Sequence, residues 1–215
     1  MTESANGIIL RTRPLTETSL IVHWLTPELG RIATVAKGAR RPKSPFAGKL
    51  DLFYAADFSF IRSRRSELHT LREASLRETH GAIRENILKL QQAGYLAAFI
   101  EQTTEMESPL PEIFELARGF LKWLCGHEPR TQNIFALELK LLRELGLMPD
   151  LGETRLTPGA KKIAQTLLAS DWAGSARLQP SPAQTRELQQ WLHGFLIFHL
   201  GRLPRGRAAA LAGQI

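Results

Sequence analysis

Lys37, Arg40, Arg41 and Lys43 fall in one ten-residue stretch, VAKGARRPKS (Val35 to Ser44), that carries no acidic side chain. That density of guanidinium and ammonium groups suits phosphate. Arg offers a planar donor fork to two oxygens at once, and Lys a mobile point charge. Gly38 and Pro42 interrupt the run, so it reads as a flexible loop and not a helix. Gly38 and Ala39 leave room for a nucleic-acid backbone to approach. The acid-free region is wider than the loop: from Arg31 to Lys49 there are six basic residues and no Asp or Glu. A solvated face would mix its signs. A second cluster, Arg62, Arg64 and Arg65, follows and would extend the same track. These seven residues are the candidate nucleic-acid contacts. Trp24, Phe46, Phe53 and Tyr54 are available either as base-stacking platforms or as core.

Other chemistry is poorly supplied. The histidines are His23, His69, His80, His127, His193 and His199, and none sits in a metal-ligand motif. His193 and His199 fall on different helical faces. Glu101 and Glu105 share a face at i, i+4, a spacing open to acid–base work and equally common on a solvated surface. There is no phosphate-binding glycine loop and no nucleophile elbow. Asp51 and Asp57 are too few acids beside the basic run for a nuclease. Cys125, in the apolar FLKWLCG, is the single cysteine, so neither an internal disulfide nor a cysteine zinc cluster can form. The expectation is a binding protein, not an enzyme, with no catalytic residue, metal or cofactor.

The elements that would carry these residues divide the chain in two. GIILRTR, SLIVHWLT, RIATVAKG, DLFYAADFSFIRS and SELHTLREASLRE read as five short strands. In the fourth, Leu52, Tyr54, Ala56, Phe58 and Phe60 alternate onto one face. Five strands in so short a span suggest a small barrel. Beyond residue 79 the period becomes helical. Ile83, Ile87, Leu90, Tyr95 and Ala98 mark a first apolar stripe. Further helices are expected after Ser108 (with Pro109 at the first position), over NIFALELKLLRELG with Gly146 as its stop, after Thr157–Pro158 and after Ser181–Pro182. The expected division is 1–79 and 80–215. Of the net charge of +7, most sits in the first part: residues 1–80 hold 13 basic and 8 acidic side chains. The N-terminus lacks the basic start and apolar run of a signal peptide, and no apolar run reaches about 20 residues. The single cysteine fits a reducing compartment. The expected location is cytoplasmic, with no membrane contact.

Several motifs together resemble a known family. GIIL opens the first strand. R-x-x-x-E-T-S-L runs from Arg13 to Leu20, T-x-x-x-G from Thr26 to Gly30, and VAKGARR-x-KS from Val35 to Ser44. The combination is similar to the N-terminal domain of the bacterial RecO recombination mediators. FALELKLLRELGLMPDL (Phe135 to Leu151) resembles the family's central helix. LGRLPRGRAAAL (Leu200 to Leu211) resembles its C-terminal segment, with Gly206 where Ser is frequent. PDLGETRLTPGAKK lacks the four-cysteine zinc module that many members carry at that point, so no structural zinc is expected.

The resemblance implies an α+β, multidomain chain: a five-stranded OB-fold barrel followed by an all-α helical domain. It implies binding of single- and double-stranded DNA without sequence specificity, annealing of complementary strands, and help in loading the recombinase onto DNA coated by single-strand-binding protein. The implied partners are the RecR protein and the acidic C-terminal tail of the single-strand-binding protein, at the nucleoid. Arg130 and Lys140 are candidate rim cations for that tail. Arg202, Arg205 and Arg207 could add to DNA or tail binding or form a solvated tail. Two alternatives remain open from the residues alone: a scaffold whose basic loop meets an acidic protein, and an RNA-binding barrel.

Overall fold

Alternation of apolar residues builds five strands: β1 (Thr2–Pro14), β2 (Leu20–Thr26), β3 (Gly30–Ala36), β4 (Ala55–Ile61) and β5 (Leu68–Glu78). The computed structural model describes residues 2–148 and 150–212. The strands close into a barrel in the order β1-β2-β3-β5-β4. β3 and β5 run parallel, with Ala33 opposite Leu68 and Val35 opposite Thr70; the other pairs are antiparallel. This is the OB-type barrel expected. Ala56, Phe58 and Phe60 alternate inward as read from the sequence, and meet Ile9, Val22, Trp24, Ile32 and Leu71 in one core.

Two features of the barrel exceed the local pattern. β1 begins at Thr2, in polar residues with no strand signal of their own. Its first half pairs with β4, from Thr2 opposite Ile61 to Ile8 opposite Ala55, and its second half pairs with β2 across a bulge between Ile9 and Arg11. Backbone pairing, not side-chain propensity, recruits that segment and closes the barrel. Leu52 and Tyr54 precede β4 instead of continuing its inward face. The chain turns there at Phe53, whose φ is 65°, and the Phe53 N–H donates to the Ile9 carbonyl at 2.8 Å.

After a 3-10 turn at Gly81–Ile83 come α1 (Ile87–Thr103), α2 (Pro111–Gly126), α3 (Thr131–Glu144), α4 (Pro158–Ala169), α5 (Trp172–Arg177), α6 (Pro182–Leu200) and α7 (Arg207–Leu211). Thr157 caps α4 by accepting from the Ala160 N–H, and Ser181 caps α6 in a capping box with Gln184, as their sequences predict. α3 ends just before Gly146. The stripe expected on α1 is only part of its buried face: Ile83 and Tyr95 are fully buried and Leu90 and Ala98 half-buried, as read. Ile87 is 69% exposed, whereas Lys89, Gln92, Ala93 and Leu96 are buried. Their donors reach distant carbonyls: Lys89 Nζ that of Cys125 at 3.3 Å, and Gln92 Nε2 those of Arg130 and Ala210, both at 3.1 Å. Hydrophobic periodicity cannot register such bonds.

Ser108 and Pro109 do not start α2; Pro111 does. Ser108 and Leu110 each precede a proline, which disfavours helical backbone there, and the segment returns to the barrel. The Glu107 N–H donates to the Arg31 carbonyl at 2.8 Å and the Leu110 N–H to that of Pro27 at 3.3 Å. By its contacts the chain forms two compact units, one comprising residues up to Gly81 with Thr104–Arg118, the other Ala82–Thr103 with the remainder. The expected single cut between 79 and 80 misses this return. Gly30 makes it possible. Its φ is 64°, and a Cβ there would lie 1.7 Å from the Ser108 carbonyl oxygen. Gly30→Ala is therefore expected to lower stability by about 2 kcal/mol or more, read in denaturant unfolding. An unchanged midpoint would show that the segment does not press on the barrel.

Candidate nucleic-acid interface

The β3–β4 connection, residues 37–54, holds its cations in place. The Ala39, Arg41, Ser44, Ala47 and Lys49 N–H groups each donate to a carbonyl three residues back, at 3.0–3.3 Å. The Arg40 N–H donates to the Thr18 carbonyl at 3.0 Å, and its guanidinium to that of Thr16 at 3.3 Å. Gly38, at φ 70°, supplies the left-handed residue that this winding needs. Phe46 inserts into the barrel core and is 6% exposed. The connection is a chain of turns pinned at both ends, not the flexible loop that its composition suggested. Lys37, Arg40, Arg41 and Lys43 are all exposed. Among the described residues none of the four pairs with a carboxylate.

The second cluster divides. Arg64 and Arg65 are exposed in the β4–β5 connection. Arg62 is not available. Its Nε and Nη2 donate to the two oxygens of Glu3 at 2.8 and 3.0 Å, and its Nη1 to Glu107 at 2.6 Å. The hydrogen bond from Arg62 holds the Glu3 carboxyl below its usual range. His69, 1% exposed, meets the other Glu107 oxygen through Nε2 at 3.0 Å. Two carboxylates neutralise Arg62 and turn it into a clasp for residues 104–107. Its partners lie 59 and 45 positions away in sequence, so the basic cluster alone could not reveal them.

The two loops also stand at opposite ends of the barrel wall. The 37–43 turns leave the C-terminal end of β3. Leu68, where the other loop enters β5, lies level with Ala33. From Ala33 to Lys37 a strand climbs about 13 Å. The outward faces of β1, β2 and β3 bridge this gap. One row across the sheet is Arg11, His23, Ala33 and Leu68; the next toward the loop is Arg13, Ile21, Val35 and Thr70. Around the first row lies a groove of about 490 Å³, walled by Arg11, Arg13, His23, Arg31, Ser66, Glu67 and Met106. Arg31 positions the Met106 wall. It donates through Nε to the Thr104 hydroxyl at 2.7 Å and through Nη2 to the Thr104 carbonyl. Burial, and then repulsion from Arg11, Arg13 and Arg31, push His23 down to about 4, so its ring is neutral at pH 7.

Sequence reading missed Arg11, Arg13 and His23 as site residues. Their signal was the R-T-R alternation at the end of β1, which places both guanidinium groups on one face. The aromatic candidates do not form platforms. Trp24, Phe46 and Phe53 are buried. Trp24 stacks on Phe58 with centroids 4.0 Å apart and donates to the Thr34 hydroxyl at 2.9 Å. Tyr54 is half-buried against the core. A larger cleft of about 760 Å³ between β4, β5 and Phe46 mixes Lys49 and Arg72 with Glu28, Asp57 and Glu73, a balance that does not favour a polyanion.

In the helical unit, Lys140 is 8% exposed and donates to the Leu168 and Ser170 carbonyls at 3.0 and 2.7 Å. Burial holds its amine below the usual value. It closes the turn between α4 and α5 and is no rim cation. Arg130 is exposed. The C-terminal arginines separate: Arg202 and Arg205 are exposed, whereas Arg207 is 4% exposed and ion-paired with Glu138. α7 is thus a docked final turn. α6 leaves Trp191 and Phe195 half-buried and Phe198 83% exposed. Among the described residues no three His, Cys, Asp or Glu side chains converge on a metal site, and no helix is long and apolar enough to cross a membrane.

Residues 1–80 match the family described as recombination protein O N terminal, and residues 84–154 match recombination protein O C terminal. The DNA repair protein RecO of Rhodopirellula baltica is 34% identical over 143 residues, 66% of this chain and 53% of that protein. That of Bacillus subtilis is 32% identical over 151 residues, 70% and 58% of the two chains. The chain therefore spans just over half the length of these two relatives. With the DNA repair protein RecO of Anaeromyxobacter sp. (strain K) it shares 30% identity over 230 aligned positions, 91% of each chain.

Proposed function

The chain belongs to the recombination protein O family, and from that premise we propose that it acts in DNA repair by binding single- and double-stranded DNA without regard to sequence and annealing complementary strands. One observation carries the reading: exposed cations stand at the β1–β3 groove (Arg11, Arg13) and on the 37–43 turns (Lys37, Arg40, Arg41, Lys43), and among the described residues walling the groove there is no Phe, Tyr or Trp. Phosphate contacts hold a strand but read no bases. With no Phe, Tyr or Trp ring to stack on, bases stay largely unstacked from protein and open to a second strand. Neutralised phosphate lowers the repulsion between the two strands. No bond chemistry is needed, and none is assigned.

On this reading the helical unit is the adaptor. It would meet RecR and the acidic tail of the single-strand-binding protein, and so help load the recombinase. The aromatic strip of α6, followed in the chain by the exposed Arg202 and Arg205, offers apolar and basic groups suited to an acidic, aromatic-ended peptide.

A backbone-only grip predicts little preference for strand number. Affinities for a single-stranded oligonucleotide and its duplex should agree within about tenfold at one salt concentration, with salt slopes per contact near 0.7 and 0.9. Titration by fluorescence anisotropy measures both. Strong preference for single strands, persisting at high salt, would mean that bases are stacked on protein and would defeat the annealing argument. Matched RNA oligonucleotides in the same titration test the alternative polymer.

A further inference from the structure

We propose that His23 is a phosphate contact that takes up a proton when nucleic acid enters the β1–β3 groove. The inference rests on the DNA-binding reading above and adds to it a residue and a linkage.

His23 stands in the middle of the groove row, between Arg11 on β1 and Ala33 on β3. The charged groups around it are Arg11 and Arg13 from β1, Arg31 from β3, and Glu67 from the β4–β5 connection. Three are cations. Arg31 is bonded to Thr104, and Arg11 and Arg13 are exposed at the surface. The His23 Nε2 is buried and has no hydrogen-bond partner. A proton there would create a fourth positive charge and a buried donor with no acceptor. Both effects oppose it, and the ring stays neutral.

A phosphodiester reverses both effects. Its negative charge, held by Arg11 and Arg13, offsets the field that keeps the proton away. Its oxygens supply the acceptor that a protonated ring lacks, once the half-buried imidazole turns Nε2 toward the groove it lines. Glu67, on the far side of the row, repels the anion toward the β1–β2 side, where His23 lies. The entering strand then brings a proton from solvent onto the imidazole, and no other bond changes.

The sign follows from linkage. The proton binds the complex more tightly than the free protein, so affinity rises as pH falls through the bound-state value and levels off below the free-state value. With the ring at about 4 when free and restored to its ordinary 6.5 when bound, affinity at pH 5.5 exceeds that at pH 8 about tenfold.

The experiment is oligonucleotide binding at both pH values and constant ionic strength, with the full chain and with His23→Gln, which keeps ring-sized bulk and a polar end but does not titrate. The proton-linked contact requires the tenfold rise in the native chain and its loss in the variant. An equal rise in both overturns the contact and leaves DNA binding intact. No binding by the native chain at either pH overturns both readings. A second measurement separates a contact from a distant effect: the His23 imidazole is titrated by NMR with and without oligonucleotide. Its midpoint must move up in the complex; an unmoved midpoint while DNA is bound rules the contact out.

Discussion

Reversing charge at Lys37, Arg40 and Arg41 together, each to Glu, weakens oligonucleotide binding at least about 100-fold at 0.1 M salt and lowers the salt slope by about 2. Each lost phosphate contact removes roughly 0.7 from the slope for a single strand, and reversal adds repulsion to the loss. These side chains are exposed and make no ion pair among the described residues, so the fold should tolerate the change. Circular dichroism and thermal melting check that point. The informative comparison is Arg62→Gln. Sequence clustering places Arg62 in the same track, but its guanidinium is spent on Glu3 and Glu107. This variant should leave the salt slope where it was and reduce stability modestly. A slope that falls as far as for one of the loop residues would return Arg62 to the interface. Unchanged affinity in the triple variant would move the DNA to Arg64, Arg65 and the groove.

Glu138→Gln is expected to destabilise the helical unit by about 3–5 kcal/mol, because it leaves a buried guanidinium with no counter-charge. The carboxylate accepts from Arg207 Nε at 2.6 Å, from Arg207 Nη2 at 2.9 Å and from the Tyr95 hydroxyl at 2.6 Å. Burial and the adjacent carboxylate push the Tyr95 hydroxyl well above its usual value, so it remains a donor. The network ties α1, α3 and α7 together across more than a hundred positions of sequence. Replacing both Glu138 and Arg207 by Met should recover a large part of the loss. Denaturant unfolding of the two variants decides. Equal damage from both would mean that packing, not charge, holds α7. Since Arg207 is committed in this way, it adds nothing to a cationic surface, whatever its neighbours in sequence suggest.

What could be read in advance was what is local. The inward alternation of Ala56, Phe58 and Phe60, and the caps at Thr157 and Ser181, need only a few adjacent residues. The basic turns were legible for the same reason: four cations and two chain breakers lie side by side. The rest depends on partners far away in sequence. Nothing in Thr2–Asn6 announces a strand, because β4 supplies its pairing. Ser108–Pro109 has the form of a helix start, yet the segment is held by Arg31 and Pro27. Lys89 and Gln92 interrupt an apolar stripe only until the carbonyls they reach are known. The groove is assembled from three strands, a loop and Met106, and only the R-T-R of β1 hinted at it. α5 lacked a periodic signal because it has six residues.

Phe46 carries no charge and touches no phosphate, yet it governs how the cations meet their ligand. Ordering a long side chain or a loop at an interface costs about 0.5–1.5 kcal/mol for each group immobilised. With its ring in the barrel core, the 37–54 connection has already lost that freedom when the protein folds. Two proteins with the same lysines and arginines here, one with Phe46 and one without, would differ in grip by an entropy that a map of surface charge does not contain.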